Sequence, residues 1–150
     1  MTSLEVRDAD EMHALGLRIG EKLQAGDLVV LVGPLGAGKT TLTRGVGEAL
    51  GAIGNVSSPT FVIARTHNRK DGAAPMVHVD AYRLGSADEL DDLDIDFKNS
   101  IVLVEWGKGM VDGIADNLLE VEIERDHTGE SETRRVTITG IGERWNGVAF

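Results

Sequence analysis

Residues 33–40 read GPLGAGKT, and they sit between the apolar run Asp27–Val32 (DLVVLV) and a segment that begins TLTRG. A run without alternation is the mark of a strand buried on both faces, so the chain passes from a central strand through a glycine-rich turn into a helix. The spacing Gly33-x-x-x-x-Gly38-Lys39-Thr40 is that of a phosphate-binding loop. Gly33, Gly36 and Gly38 permit backbone angles and a close approach that a Cβ would block, so the amides of the loop, with Leu35 and Ala37 among them, can converge on an anion. Lys39 supplies a mobile cation for the outer phosphates. Thr40 offers a hydroxyl to Mg²⁺, and Thr41 continues a helix start whose N–H groups and dipole favour negative charge. A glycine turn without a ligand is the weaker reading, because the full pattern stands in its strand-and-helix setting.

The remaining properties limit what can surround this loop. At 150 residues the chain is expected to form one domain, residues 1–150, with a single sheet. It has no cysteine, so disulfides and thiolate metal sites are excluded, in keeping with a cytoplasmic setting. No apolar run approaches the length of a membrane span, and the opening MTSLEVRDADE is acidic, unlike a signal peptide. The formal charge of −10 argues against freestanding nucleic-acid binding, which draws on Lys and Arg to neutralise phosphates. Any RNA would then be held by a partner. A local positive face is still available from Lys39, Arg44, Arg65, Arg69, Lys70 and Arg83.

Patterning predicts the other elements. A short strand at Leu4–Val6 precedes an amphipathic helix marked by Met12, Leu15, Ile19 and Leu23, capped by Asp8 or Asp10 and ended by Gly26. A second helix runs from Lys39 to Leu50 and stops at Gly51. The stretch FVIARTH pairs through NRKDGAAP with MVHVD, SADELDDLDIDF reads as a helix with Leu90, Leu93 and Phe97 on one face, and SIVLVEW is a second buried strand. LLEVEIE and RRVTITG alternate apolar and polar residues, as an antiparallel hairpin with one wet face does. The fold class is therefore α/β: a P-loop NTPase-like three-layer arrangement with a mixed, mainly parallel sheet and a C-terminal antiparallel hairpin. The ligand belongs at the carboxyl ends of the parallel strands.

A phosphate loop works with a carboxylate at the end of a neighbouring buried strand. Glu105 ends IVLVE and Asp80 ends MVHVD. Glu105 better fits the metal-linked carboxylate, and Asp80 the group that orients attacking water; the two roles could be exchanged. SSPTF, with Ser58, Pro59 and Thr60, stands where nucleotide switches keep a loop that senses the γ-phosphate, although an ordinary turn before a strand has the same composition. Tyr82 and Arg83 follow Asp80 and can line the same edge. His78 reads as a surface or packing residue, since nothing in its spacing suggests a metal pair. The acid run from Asp88 to Asp96 reads as a solvated helix face, with docking to a basic partner as the alternative. Trp106 can cover the nucleotide, meet a partner or pack, and Trp145 packs.

The segments GPLGAGKTTLTRG, NVSSPTF, HVDAYRL followed by DELDDLDI, and LVEW occur in the order and approximate spacing of the bacterial TsaE (YjeE) family, and the chain resembles that family from about Leu28 to Trp106. The resemblance implies a P-loop ATPase using ATP and Mg²⁺, required for N6-threonylcarbamoyladenosine at position 37 of tRNAs that read codons starting with A. It also implies work alongside TsaB and TsaD subunits, which would hold the tRNA. On this likeness Lys39 and Thr41 hold phosphates, Thr40 and Glu105 coordinate Mg²⁺, Asp80 supports hydrolysis, SSPTF acts as a switch, and Trp106 serves activity or partner contact. Adenosine is expected near Asp10 or Glu11 and near Arg134 or Arg135. Two departures stand out: Pro34 replaces an acidic residue common in the family, and GIADNLLEVEI lacks the Leu-Pro that usually follows the Glu-Trp pair.

Other readings of the loop make different demands. A small-molecule kinase shares loop and size but needs an arginine-bearing lid and an acceptor pocket, and no lid segment is evident. A nucleotide sensor that binds partners without hydrolysis would keep the same residues. A GTPase is disfavoured by the missing N-K-x-D motif, and an ABC transporter by length and the missing LSGGQ signature.

Overall fold

A computed structural model describes residues 1–34, 36–54, 56, 64–81, 89–90, 92–105, 115–125 and 131–150. In chain order the elements are β1 (Thr2–Val6), α1 (Ala9–Gly20), β2 (Leu28–Val32), α2 (Lys39–Leu50), β3 (Ala64–His67), β4 (Met76–Asp80), β5 (Ile101–Glu105), β6 (Leu118–Arg125) and β7 (Arg134–Ile141). The described strands join in one sheet of order β1-β7-β6-β2-β5-β4-β3. β2 pairs in parallel with β5 and with β6, and β4 with β5, while β3, β7 and β1 add antiparallel edges. This is the mixed sheet with a parallel centre that the sequence predicts. Its β6–β7 hairpin, however, lies against β2 itself.

Alternation along the strands divides the core. Val29, Leu31, Met76, Ile101, Leu103, Leu119, Val121 and Ile123 face α1 and α2. Leu28, Val30, Val77, Val79, Val102 and Val104 face the other way, onto Leu90 with Leu93, Ile95 and Phe97. β4 proves to be as deeply buried as its neighbours from Met76 to Val79, although the His78 alternation suggests a wetter strand.

Helix α1 starts where the sequence predicts. Asp8 is extended and its carboxylate accepts the Glu11 N–H at 2.9 Å. Replacing Asp8 by alanine is expected to cost about 1 kcal/mol, a fall in melting temperature of about 2–4 °C for a chain of this size. Asp8→Asn, which keeps an acceptor, should retain most of it in the same thermal melt.

The helix ends sooner than predicted, at Gly20. Lys22 and Leu23 donate to Ile19 and Gly20 in tightened turns, Leu23 stays buried outside the helix, and Gly26, at φ 92°, turns the chain into β2. α1 lies directly on α2 through Gly16 and Gly45, where a Cβ would run into the carbonyl oxygens of Leu42 and His13 respectively. The backbones touch, which fixes where the start of α1 stands relative to the loop before α2.

The predicted helix over SADELDDLDIDF is corrected in its second half; residues 86–88 and 91 lie outside the described residues. Helical backbone is described at Glu89–Leu90, and the chain is irregular from Asp94 to Asp96. Asp92, Asp94 and Asp96 are exposed while Leu93, Ile95 and Phe97 are half-buried, a period of two that lets alternate residues cover the sheet. Asp94 adopts φ 54°, and Asp96 accepts from the Asn99 backbone and amide, a local turn that competes with helix. Among the described acids, Glu89, Asp92, Asp94 and Asp96 are exposed, the last three beyond the helical residues, while Asp88 and Asp91 lie outside the described residues. At the other end of the chain Arg144 clasps the buried Asp27 with two bonds of 3.0 Å and covers the ring of Trp145, which packs as expected.

Candidate functional site

Four parallel strands deliver their carboxyl ends to one edge: β2 leads into Gly33, β4 ends in Asp80, β5 in Glu105 and β6 in Arg125. The loop from Gly33 turns there into α2. Gly38, the N-cap residue, stands before the helix at φ 114°, a backbone range that side-chain-bearing residues rarely adopt, and as glycine it offers no side-chain cap. The first N–H groups of α2 therefore open toward the loop. Gly33 is tight for another reason: a Cβ would stand 2.8 Å from the Ile123 carbonyl of β6.

Lys39 turns back over the loop. Its Nζ donates to the Gly33 carbonyl at 2.5 Å and to the Pro34 carbonyl at 3.0 Å, and the residue is buried. Burial pushes its ammonium below the usual lysine range, while the charges of Glu105 and then Asp80 pull it back up. The three groups thus share one electrostatic neighbourhood. Asp80 and Glu105 are register partners on adjacent strands, and both alternate onto the helix face. Glu105 is buried at 3 % exposure and Asp80 is half-buried. Thr40 and Thr41 are half-buried in the first turn of α2.

Beside the loop runs a cleft of about 160 Å³ lined by Asp8, Ala9, Met12, Gly36, Ala37, Gly38, Thr41, Glu132 and Arg134. It joins the start of α1 to the last hairpin, the two places where adenosine is expected. Asp10 is exposed and is not among the described lining residues; Asp8 is. Glu11 is engaged by Arg7 at 2.8 Å. Arg134 lines this cleft and also a larger one of about 410 Å³ with Arg125 and Arg135, and its guanidinium is held by the Ser131 carbonyl at 2.9 Å.

Some of these residues were not legible beforehand. Asp8 is visible in the sequence only as a helix cap, and Met12 only as a core residue whose methyl would meet a Cβ at Gly38 at 3.1 Å. Arg125, whose Nη1 is 3.5 Å from the Cβ position of Gly36, carries no sequence signal because it ends what reads as an ordinary hairpin strand. Leu35, Ser58, Pro59, Thr60, Tyr82, Arg83 and Trp106 lie outside the described residues. Arg44 of α2 does bond the Val56 carbonyl at 3.0 Å, just ahead of SSPTF.

Comparison with known proteins identifies the family and supports the fold. The family model for "Threonylcarbamoyl adenosine biosynthesis protein TsaE" matches residues 6–136. A Streptomyces coelicolor protein named tRNA threonylcarbamoyladenosine biosynthesis protein TsaE is 54 % identical over 139 residues, covering 89 % of this chain and 93 % of its own. A protein of the same name from Bacillus subtilis is 37 % identical, covering 91 % of this chain and 84 % of its own. Among solved structures, Bacillus subtilis YdiB superposes with a TM-score of 0.76 at 30 % identity, over 96 % of this chain and 88 % of that one. With the phosphate-loop pattern, the strand-end acids and these matches in agreement, the chain belongs to the TsaE family.

Proposed function

We propose that the protein is a Mg²⁺-dependent ATPase that serves threonylcarbamoylation of adenosine 37 in tRNAs reading ANN codons, acting as a nucleotide switch with TsaB and TsaD. The observation that carries this reading is the convergence of the loop lysine with two strand-end carboxylates, Glu105 and Asp80. Family membership supports the tRNA pathway, since the matched relatives bear that name.

The residues present fit the expected ligands. Loop amides and Lys39 bind the phosphate tail, and the cleft between Asp8 and Arg134 receives the nucleoside. Thr40 and Glu105 would hold Mg²⁺, whose chemistry when bound is to neutralise charge developing on the phosphates. Among the described residues no three His, Cys, Asp or Glu side chains form a metal cage. That suits Mg²⁺, which relies on one or two protein oxygens, substrate phosphates and water. Asp80, half-exposed beside Glu105, would orient the attacking water. Ser58, Pro59, Thr60, Tyr82, Arg83 and Trp106 would form the switch or meet partners, and TsaD and TsaB would bring the tRNA to a chain of net charge −10.

The test is phosphate release from ATP by the full chain, alone and with TsaB and TsaD, with transfer to alcohols assayed in parallel. Slow, Mg²⁺-dependent release to water that changes with the partners is expected. Transfer to an alcohol would mark a kinase, and retention without release over hours a sensor.

Nucleotide affinity should also depend on pH in a direction set by Lys39. Phosphate binding needs its ammonium, and burial has lowered the pKa of that ammonium. Raising the pH through that lowered pKa removes the charge, so binding then requires proton uptake and weakens by up to about tenfold per pH unit. Titration of a fluorescent ATP analogue should show the decline starting below the ordinary lysine range, and Lys39→Met should abolish the trend.

A further inference from the structure

Behind Glu105 lies a residue to which the proposed ATPase assigns no task. His78 is fully buried in β4, on the helix face together with Asp80. Its Cα partner across the ladder is Leu103, one step behind Glu105 on the same face of β5. The Glu105 carboxylate therefore has Asp80 beside it and the His78 imidazole behind it, with Nε2 3.2 Å from Oε2. Among the described residues neither ring nitrogen has a hydrogen-bond partner in this arrangement: the distance to Oε2 suffices, but the direction does not.

A buried polar ring without a partner is less favourable than the valines on either side of it, so packing gives no reason for histidine here. Glu105 supplies one. The terminal torsion of a glutamate side chain is broad, and a small turn of the carboxylate brings Oε2 into line with an Nε2–H. Held from behind by one oxygen, the carboxylate presents the other to the edge where Lys39 and Thr40 lie. We propose that His78 is the positioning residue for Glu105, its neutral ring donating from Nε2 to Oε2 so that the remaining oxygen is aimed at the cation on the nucleotide. The part of this that concerns the cation rests on the reading of the site given above. Hydrogen bonds of this kind behind a metal-binding carboxylate typically alter metal affinity by 10–100-fold.

The test combines two measurements on the full chain. Nitrogen-15 spectra of the His78 ring, recorded without metal or nucleotide, should show Nε2 protonated and Nδ1 bare; the opposite tautomer overturns the proposal. The Mg²⁺ concentration that half-saturates binding of a fluorescent ADP analogue should rise about tenfold or more in His78→Phe, which keeps a ring but no donor. Affinity measured without Mg²⁺ should change less than about twofold, and His78→Gln, which restores an N–H, should recover part of the loss. An unaltered Mg²⁺ requirement in His78→Phe overturns the proposal. If binding by the unsubstituted chain ignores Mg²⁺, the ATPase reading fails instead, and the ring spectrum alone decides the His78–Glu105 pair.

Discussion

Lys39→Met is expected to weaken ATP binding roughly a hundredfold, measured by calorimetry or by displacement of a fluorescent analogue. A hydrogen bond to a charged group contributes about 1.5–3 kcal/mol, and the Lys39 ammonium is buried, where Coulomb attraction to phosphate is screened less than in water. Methionine keeps the length of the side chain without its charge, so packing changes little. The melting temperature should stay within a few degrees, because deleting a buried cation also removes its desolvation cost and offsets the hydrogen bonds lost to Gly33 and Pro34. Glu105→Ala should show a different pattern, sparing more of the binding than of the turnover, because the carboxylate acts on nucleotide already gripped by the loop. Normal hydrolysis by both variants would mean that the site has been misplaced.

Gly45→Ala is expected to lower stability by about 3 kcal/mol, which corresponds to roughly 6–12 °C in melting temperature for a chain of this length. The sign makes this informative. In a helix interior, glycine to alanine ordinarily stabilises by about 0.5–1 kcal/mol. At Gly45 the new methyl would meet the His13 carbonyl, which is backbone and has no rotamer to give, so α1 must move off α2. Gly16→Ala meets the Leu42 carbonyl from the opposite side and should behave alike. Displacing α1 also shifts Asp8 and Met12 away from the loop, so ATP affinity should fall even at temperatures where the variant remains folded. A variant with an undiminished melting temperature would show that the two helices are not packed backbone to backbone.

Local pattern was enough for much of the fold. DLVVLV and IVLVE read as strands because burial on both faces leaves an apolar run, MVHVD because it follows a turn-rich stretch with alternating valines, and the Asp8 cap and the α2 boundaries follow from backbone groups that must be satisfied within a few residues. Beyond Leu90, SADELDDLDIDF departs from its local pattern. Its leucines fit helical spacing, whereas the sheet above it selects alternate residues and the Asp96–Asn99 turn stops the helix. α1 ends before the predicted Gly26 because Leu23 is buried by the fold rather than by helical periodicity.

The sequence by itself determined the phosphate-loop pattern, the strands that end in Asp80 and Glu105, and the family, since these depend on residue type and short spacing. Only the tertiary structure decided which residues meet them. Seating β6 in parallel beside β2 brings Arg125 to the loop, and the glycine contact of α1 with α2 brings Asp8 over it. Pairing β4 with β5 in register puts His78 behind Glu105, twenty-seven residues away in the chain. Strand order and helix crossing are settled by burial of whole faces against one another, a property of the assembled sheet that no short window of residues contains.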